Sequence, residues 1–140
     1  MKKIIALSGA ENSGKTSTLC IVHKGLLSMA ESIMDEHSIN DGDQRNILFI
    51  NGVKVGIETQ GDPNSRLSSS LILFKENNCD LIICATRTRG YTVGLVNNLA
   101  PEYHISWRGQ SSLSEESLRE ESNQAIANLI INEAKSELNV

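Results

Sequence analysis

Short apolar runs and helix-spaced apolar stripes follow one another along this chain, separated by polar turns. Residues 4–7, IIAL, form a compact apolar run of strand type. From Lys15 onward Leu19, Val22, Leu26, Met29 and Ile33 recur at helical spacing, which predicts a first helix. Residues 35–46, DEHSINDGDQRN, are polar and without periodicity, and read as a surface loop. Two strand-like runs follow, near 47–50 and 53–58, joined by Asn51-Gly52, the pair that best supplies the positive φ angles of a type I′ turn; this predicts a β-hairpin with Val53, Val55 and Ile57 on one face. The stretch ETQGDPNSR is rich in turn formers, and a helix is expected through Leu67, Leu71 and Phe74.

Residues 81–85, LIICA, are wholly apolar, as in a parallel strand covered on both faces. TRTRGYT then leads to a short helix around 93–99, stopped by Pro101, and a last strand at 103–107 runs into RGQ. A helix-start signal at 112–115 opens a long C-terminal helix whose apolar face comprises Leu118, Ala125, Ile126, Leu129, Ile130, Ala134 and Leu138. These elements predict an α/β fold of about five mostly parallel strands, with helices on both faces and one domain over 1–140.

Between the first strand and the first helix stands GAENSGKT: Gly9, four spacer residues, then Gly14, Lys15 and Thr16. In the pattern GxxxxGKT the glycines let backbone N–H groups turn inward around a phosphate, and the helix that follows aims its positive end at the anion. Lys15 is placed to reach the β- and γ-phosphates, and Thr16 to offer a hydroxyl to Mg²⁺. Flanked by a strand-like run and a helical stripe, GAENSGKT resembles the phosphate-binding loop of the P-loop NTPase superfamily. The resemblance implies a three-layer P-loop sandwich in which Gly9, Ala10, Glu11, Asn12, Ser13, Gly14, Lys15, Thr16 and Ser17 surround the phosphates.

Ligands of open α/β sheets sit outside the carboxyl ends of the parallel strands, where the loops here read GAENSGKT, ETQGDPNSR, TRTRG and WRGQ. Glu58 and Asp62 are the acidic candidates to anchor Mg²⁺ or orient an attacking water; otherwise Asp62 begins the next helix and Glu58 lies at an exposed edge. Arg87 and Arg89 are candidates to stabilise developing charge, and strand alternation lets at most one of them point inward. Arg66 is a weaker candidate. Trp107, beside Arg108, stands where a base would stack and reads first as a core aromatic. His23, His37 and His104 have no partner at metal or catalytic spacing, and Asp41 and Asp43 lack the residues that would complete a calcium loop.

With 140 residues and a net charge of -4, the chain is a near-minimal unit with no general attraction to nucleic acid or anionic membrane. Cys20, Cys79 and Cys84 lack metal-ligand spacing and read as core residues of a reducing compartment, without disulfide or zinc. The apolar run after Lys2 and Lys3 is too short for a secretory leader, and no stretch approaches membrane-spanning length, so a cytoplasmic protein is expected.

The order strand, loop, helix, polar loop, hairpin and acidic glycine-bearing turn resembles Ras-like GTPases over about residues 1–85, with ETQG standing where their DxxG lies. Glu58 replaces the usual Asp, NKxD is absent and SWRG occupies its place, which argues for ATP over GTP. GAENSGKTSTL also looks like the loops of nucleoside-type and other small-molecule kinases, with TRTRG as an arginine-bearing lid. A nucleotide-gated module that binds a partner protein is the third reading. The leading expectation is a Mg²⁺-dependent ATP-binding protein that hydrolyses its nucleotide, with Lys15, Glu58 or Asp62, and Arg87 or Arg89 as acting groups. A protein partner or a second copy of the chain would complete such a site where a residue must come from a neighbour.

Overall fold

The fold is that of a computed structural model, which describes residues 2–140 except 12, 39–43, 64 and 114; of 35–38 it describes the backbone. Along the chain the elements are β1 (Lys2–Ser8), α1 (Lys15–Leu27), β2 (Ser32–Ser38), β3 (Gln44–Ile50), β4 (Val53–Glu58), α2 (Leu67–Glu76), β5 (Leu81–Thr86), α3 (Tyr91–Asn97), β6 (Tyr103–Gly109) and α4 (Glu116–Leu138). The strands form one sheet in the order β2-β3-β4-β5-β1-β6. Neighbours from β4 to β6 pair in parallel, while β3 runs antiparallel to both β2 and β4. The wholly apolar runs occupy the middle, where a strand covered on both faces can carry an apolar side chain at every position.

Alternation along each strand divides the core in two. Ile5 and Leu7 of β1, with Val55, Ile57 and Ile83, pack under Leu19, Val22 and Leu26 of α1 and Ala127, Ile130 and Ala134 of α4. Ile4 and Ala6, with Ile82 and Cys84, pack on the opposite face under Leu67, Leu71 and Phe74 of α2 and Val96 of α3. Burying each Val, Leu, Ile or Phe side chain among them contributes about 1.5–3 kcal/mol, so the two clusters hold the helices against the sheet. α2 approaches closely at Gly56, where a Cβ would lie 2.5 Å from the Phe74 ring. The hairpin forms as expected, and its central Asn51 and Gly52 have φ of 50 and 77.

Four expectations are corrected. The sheet has six strands rather than five: SIMDEHS, read as a helix end and a polar loop, forms β2. It pairs along one side with β3, and edge pairing needs backbone hydrogen bonds rather than an apolar face, so Ile33 and Met34 remain exposed and the pattern gives no strand signal. The first helix accordingly stops at Leu27, short of Met29 and Ile33. The apolar face of α4 is Ala127, Ile130, Ala134 and Leu138, whereas Leu118, Ala125 and Leu129 are exposed. Trp107, expected in the core, is 40 % exposed because β6 is an edge strand. The Asp41/Asp43 pair and Asn12 lie outside the described residues, as does the His37 side chain. Among the described residues no helix is long and apolar enough to cross a membrane.

Candidate functional site

Parallel pairing of β4, β5, β1 and β6 brings the loops at their carboxyl ends to one edge of the sheet. The loop after β1 is pinned on both sides: Gly9 N–H donates to the Thr86 carbonyl at 3.1 Å, and Gln110 N–H donates to the Ser8 carbonyl at 2.8 Å. Gly9 is required by this crowding, since a Cβ there would sit 2.6 Å from both the Gln110 carbonyl and the Ser13 hydroxyl. Gly14 caps α1 with φ 95, a left-handed conformation that a larger residue adopts only under strain. A Cβ on Gly14 would also meet Gln110 Nε2 at 2.8 Å and Asn123 Oδ1 at 2.9 Å. With glycine as N-cap, the opening N–H groups of α1 have no side-chain cap.

Lys15 is buried and folds back over the loop, donating from Nζ to the carbonyls of Gly9 at 2.5 Å and Ala10 at 3.0 Å. Burial, with a smaller contribution from the Arg87 charge, lowers its pKa against the opposing influence of Asp62 and Glu11. Thr16 is exposed, with Oγ1 3.4 Å from the Thr59 carbonyl. These residues line a cavity of about 740 Å³ together with Ser13, Gln60, Gly61, Asp62, and Glu116, Arg119, Glu120 and Asn123 from the start of α4.

Two arginine–carboxylate pairs stand behind this edge. Arg87 donates from Nε to Asp62 at 3.0 Å and lies 3.7 Å from Glu11, linking the loops after β1 and β4. Glu58 is fully buried and turned toward α2: its Oε1 accepts from Arg66 Nε at 2.6 Å and Ser70 Oγ at 2.5 Å, and its Oε2 accepts from Gln60 N–H at 3.1 Å. Of the two acidic candidates the structure therefore brings Asp62, and not Glu58, to the cavity wall, and Glu58 is not at an exposed edge. Asp62 is not the helix cap either, since the N-cap of α2 is Arg66. Of the arginines after β5, Arg87 reaches the cavity wall only through its pair with Asp62, itself outside the lining, and Arg89 is exposed and also outside it.

Sequence reasoning missed Gln110 and Asn123. The Gln110 carboxamide is buried and fully used: Oε1 accepts from Thr18 Oγ1 at 2.8 Å, and Nε2 donates to the Ser13 carbonyl at 2.8 Å and to Asn123 Oδ1 at 2.6 Å. It ties β6, α1 and α4 to the glycine loop. Asn123 did leave a signal, because it extends the buried stripe of Ala127, Ile130, Ala134 and Leu138 by one turn with a polar residue.

The remaining candidates lie elsewhere. Arg108 pairs with Glu133 of α4, His23 is buried against Asn46 Oδ1, and His104 is exposed. No disulfide joins the three cysteines, and burial pushes the thiols of Cys79 and Cys84 up to about 12, far from thiolate chemistry. Among the described residues there is no group of three or more metal-ligating His, Cys, Asp or Glu side chains. No family model, curated protein or solved structure matches the chain.

Proposed function

We propose that this protein is a Mg²⁺-dependent nucleoside-triphosphate hydrolase of the P-loop type, taking ATP in preference to GTP. One observation carries the reading: a left-handed glycine opens α1 without a side-chain cap, and beside it the Lys15 ammonium rests on two loop carbonyls at the mouth of a cavity. Uncapped helix-start amides next to a buried cation favour a polyanion. The volume, about 740 Å³, lies within the range of small-molecule sites.

An incoming phosphate would take Lys15 from the carbonyls of Gly9 and Ala10, exchanging two neutral acceptors for charged oxygens. Thr16 and Asp62 would hold Mg²⁺, directly or through water; both present oxygen to the cavity, and the Thr16 hydroxyl has only a long contact to give up. The ion supplies charge neutralisation across the phosphate oxygens. Arg87, 30 % exposed and paired with the carboxylates of Asp62 and Glu11, would exchange Asp62 for a phosphate oxygen as charge develops. Asp62 would also orient the attacking water through that shell of water: the attacking oxygen bonds to the γ-phosphorus as the bond to the bridging oxygen breaks, ADP leaves with that bridging oxygen, and the water's proton passes to the released phosphate. The wall of α4, with Arg119 and Asn123, is left for the sugar and base.

Phosphate release from MgATP and MgGTP tests this reading. The wild type should release phosphate from ATP faster than from GTP, and Asp62→Asn should slow release by about tenfold or more. Equal release by Asp62→Asn would remove Asp62 from the reaction, and no release by a wild type that binds MgATP would turn the assignment to a gated binding module.

A further inference from the structure

The glycine loop holds a polar atom that no described residue satisfies. Ser13 is 4 % exposed, and its hydroxyl oxygen is buried with no hydrogen-bond partner among the described residues. Its backbone, in contrast, is engaged on both sides: Ser13 N–H donates to the Ala10 carbonyl at 3.2 Å, and the Ser13 carbonyl accepts from Gln110 Nε2 at 2.8 Å. The residue is therefore held in place while its hydroxyl is left unmatched. That hydroxyl lies 2.6 Å from the position of a Cβ on Gly9, with the Lys15 stem 3.4 Å from the same point. Ser13 and Lys15 thus both approach Gly9, and both line the cavity.

A buried hydroxyl without a partner lowers stability relative to alanine, which has no polar group to desolvate. Position 13 is also one of the four spacer positions that GxxxxGKT leaves open, so the motif itself does not require serine. We propose that the Ser13 hydroxyl is a phosphate-recognition group, donating its hydrogen to an oxygen of the bound nucleotide's polyphosphate chain beside Lys15. The uncapped start of the 13-residue helix α1 at Gly14 supplies the neighbouring amide donors. Gln110 holds the residue in place through the Ser13 carbonyl. This inference rests on the nucleotide reading above.

The test titrates MgATP and, separately, inorganic phosphate into the wild type, Ser13→Ala and Lys15→Ala, and records the melting temperature of each unliganded protein. Ser13→Ala should weaken MgATP binding by about tenfold, the value of a hydrogen bond to a charged acceptor, while its melting temperature holds or rises. Two effects of opposite sign separate a ligand-binding hydroxyl from a structural one. Unchanged affinity, or a fall in melting temperature together with affinity, overturns the proposal. A loss confined to inorganic phosphate assigns the hydroxyl to free phosphate and overturns the nucleotide assignment. Wild-type binding that survives Lys15→Ala, or no wild-type binding, overturns the underlying reading and this one with it, whereas Lys15-dependent binding that ignores Ser13→Ala overturns this one alone.

Discussion

Glu58–Arg66 and Asp62–Arg87 are two arginine–carboxylate pairs whose acids stand four residues apart, yet their surroundings differ at every point. The Glu58 side chain is 0 % exposed and accepts from three donors, whereas that of Asp62 is 58 % exposed and lines the cavity. Gly61 makes the difference. A Cβ there would lie 2.6 Å from the carbonyl carbon of Ala85, so only glycine lets the chain leave β4, cross the end of β5 and deliver Asp62 toward the loop after β1. A sealed pair is costly to form and more costly to break, because a lone buried charge has no replacement partner. An open pair is weak and screened, which suits groups that must exchange partners when a charged ligand arrives. The first pair anchors the loop to α2, and the second keeps charge available at the cavity.

Substitution of each pair breaks the comparison in a different place. Glu58→Ala should have the largest effect, a loss of about 3–5 kcal/mol in urea denaturation, since it strands Arg66, whose terminal nitrogens are already buried without partners among the described residues. Arg87→Ala should change stability by less than about 1 kcal/mol while slowing phosphate release by about tenfold or more. If the two variants lose equal stability, the contrast between a sealed and an open pair is wrong.

The smallest effect concerns a third cluster, in which Lys3 and Arg108 contact Glu133 of α4. Burial alone would raise the Glu133 pKa, but hydrogen bonds from Lys3, Ser106 and Arg108, with the Lys3 charge, outweigh it and hold the carboxyl below its ordinary 4.5. Burial likewise opposes the charged form of Lys3, whose hydrogen bonds to Glu133 and Glu137 prevail and raise it above 10.5. A depressed carboxylate contributes stability above its unfolded pKa and loses it as pH falls through the folded value; a raised lysine loses its contribution only as pH rises past 10.5. Stability should therefore be flat with respect to this cluster near neutrality and decline below about pH 4.5, and Glu133→Gln should flatten the acid limb of a denaturation series.

The parts of the molecule that were legible in sequence are those where one local rule decides the outcome. IIAL and LIICA read as buried strands, Asn51-Gly52 specified the hairpin, and four polar loops were placed at one sheet edge. β2 was not legible, because an edge strand is held by backbone hydrogen bonds and its exposed Ile33 fits a helical spacing by accident. Nor could spacing decide between Glu58 and Asp62, or between Arg87 and Arg89, because those choices depend on how the chain crosses β5 at Gly61. Gln110 was hidden for the same reason: its three side-chain hydrogen bonds reach residues up to 97 positions away.

The most direct test of the central claim is calorimetric titration of MgATP into the wild type and Lys15→Ala, with the fold of the variant checked by circular dichroism. The nucleotide reading predicts saturable binding by the wild type and loss of that binding in a folded Lys15→Ala. Equal affinity in the two proteins would contradict it.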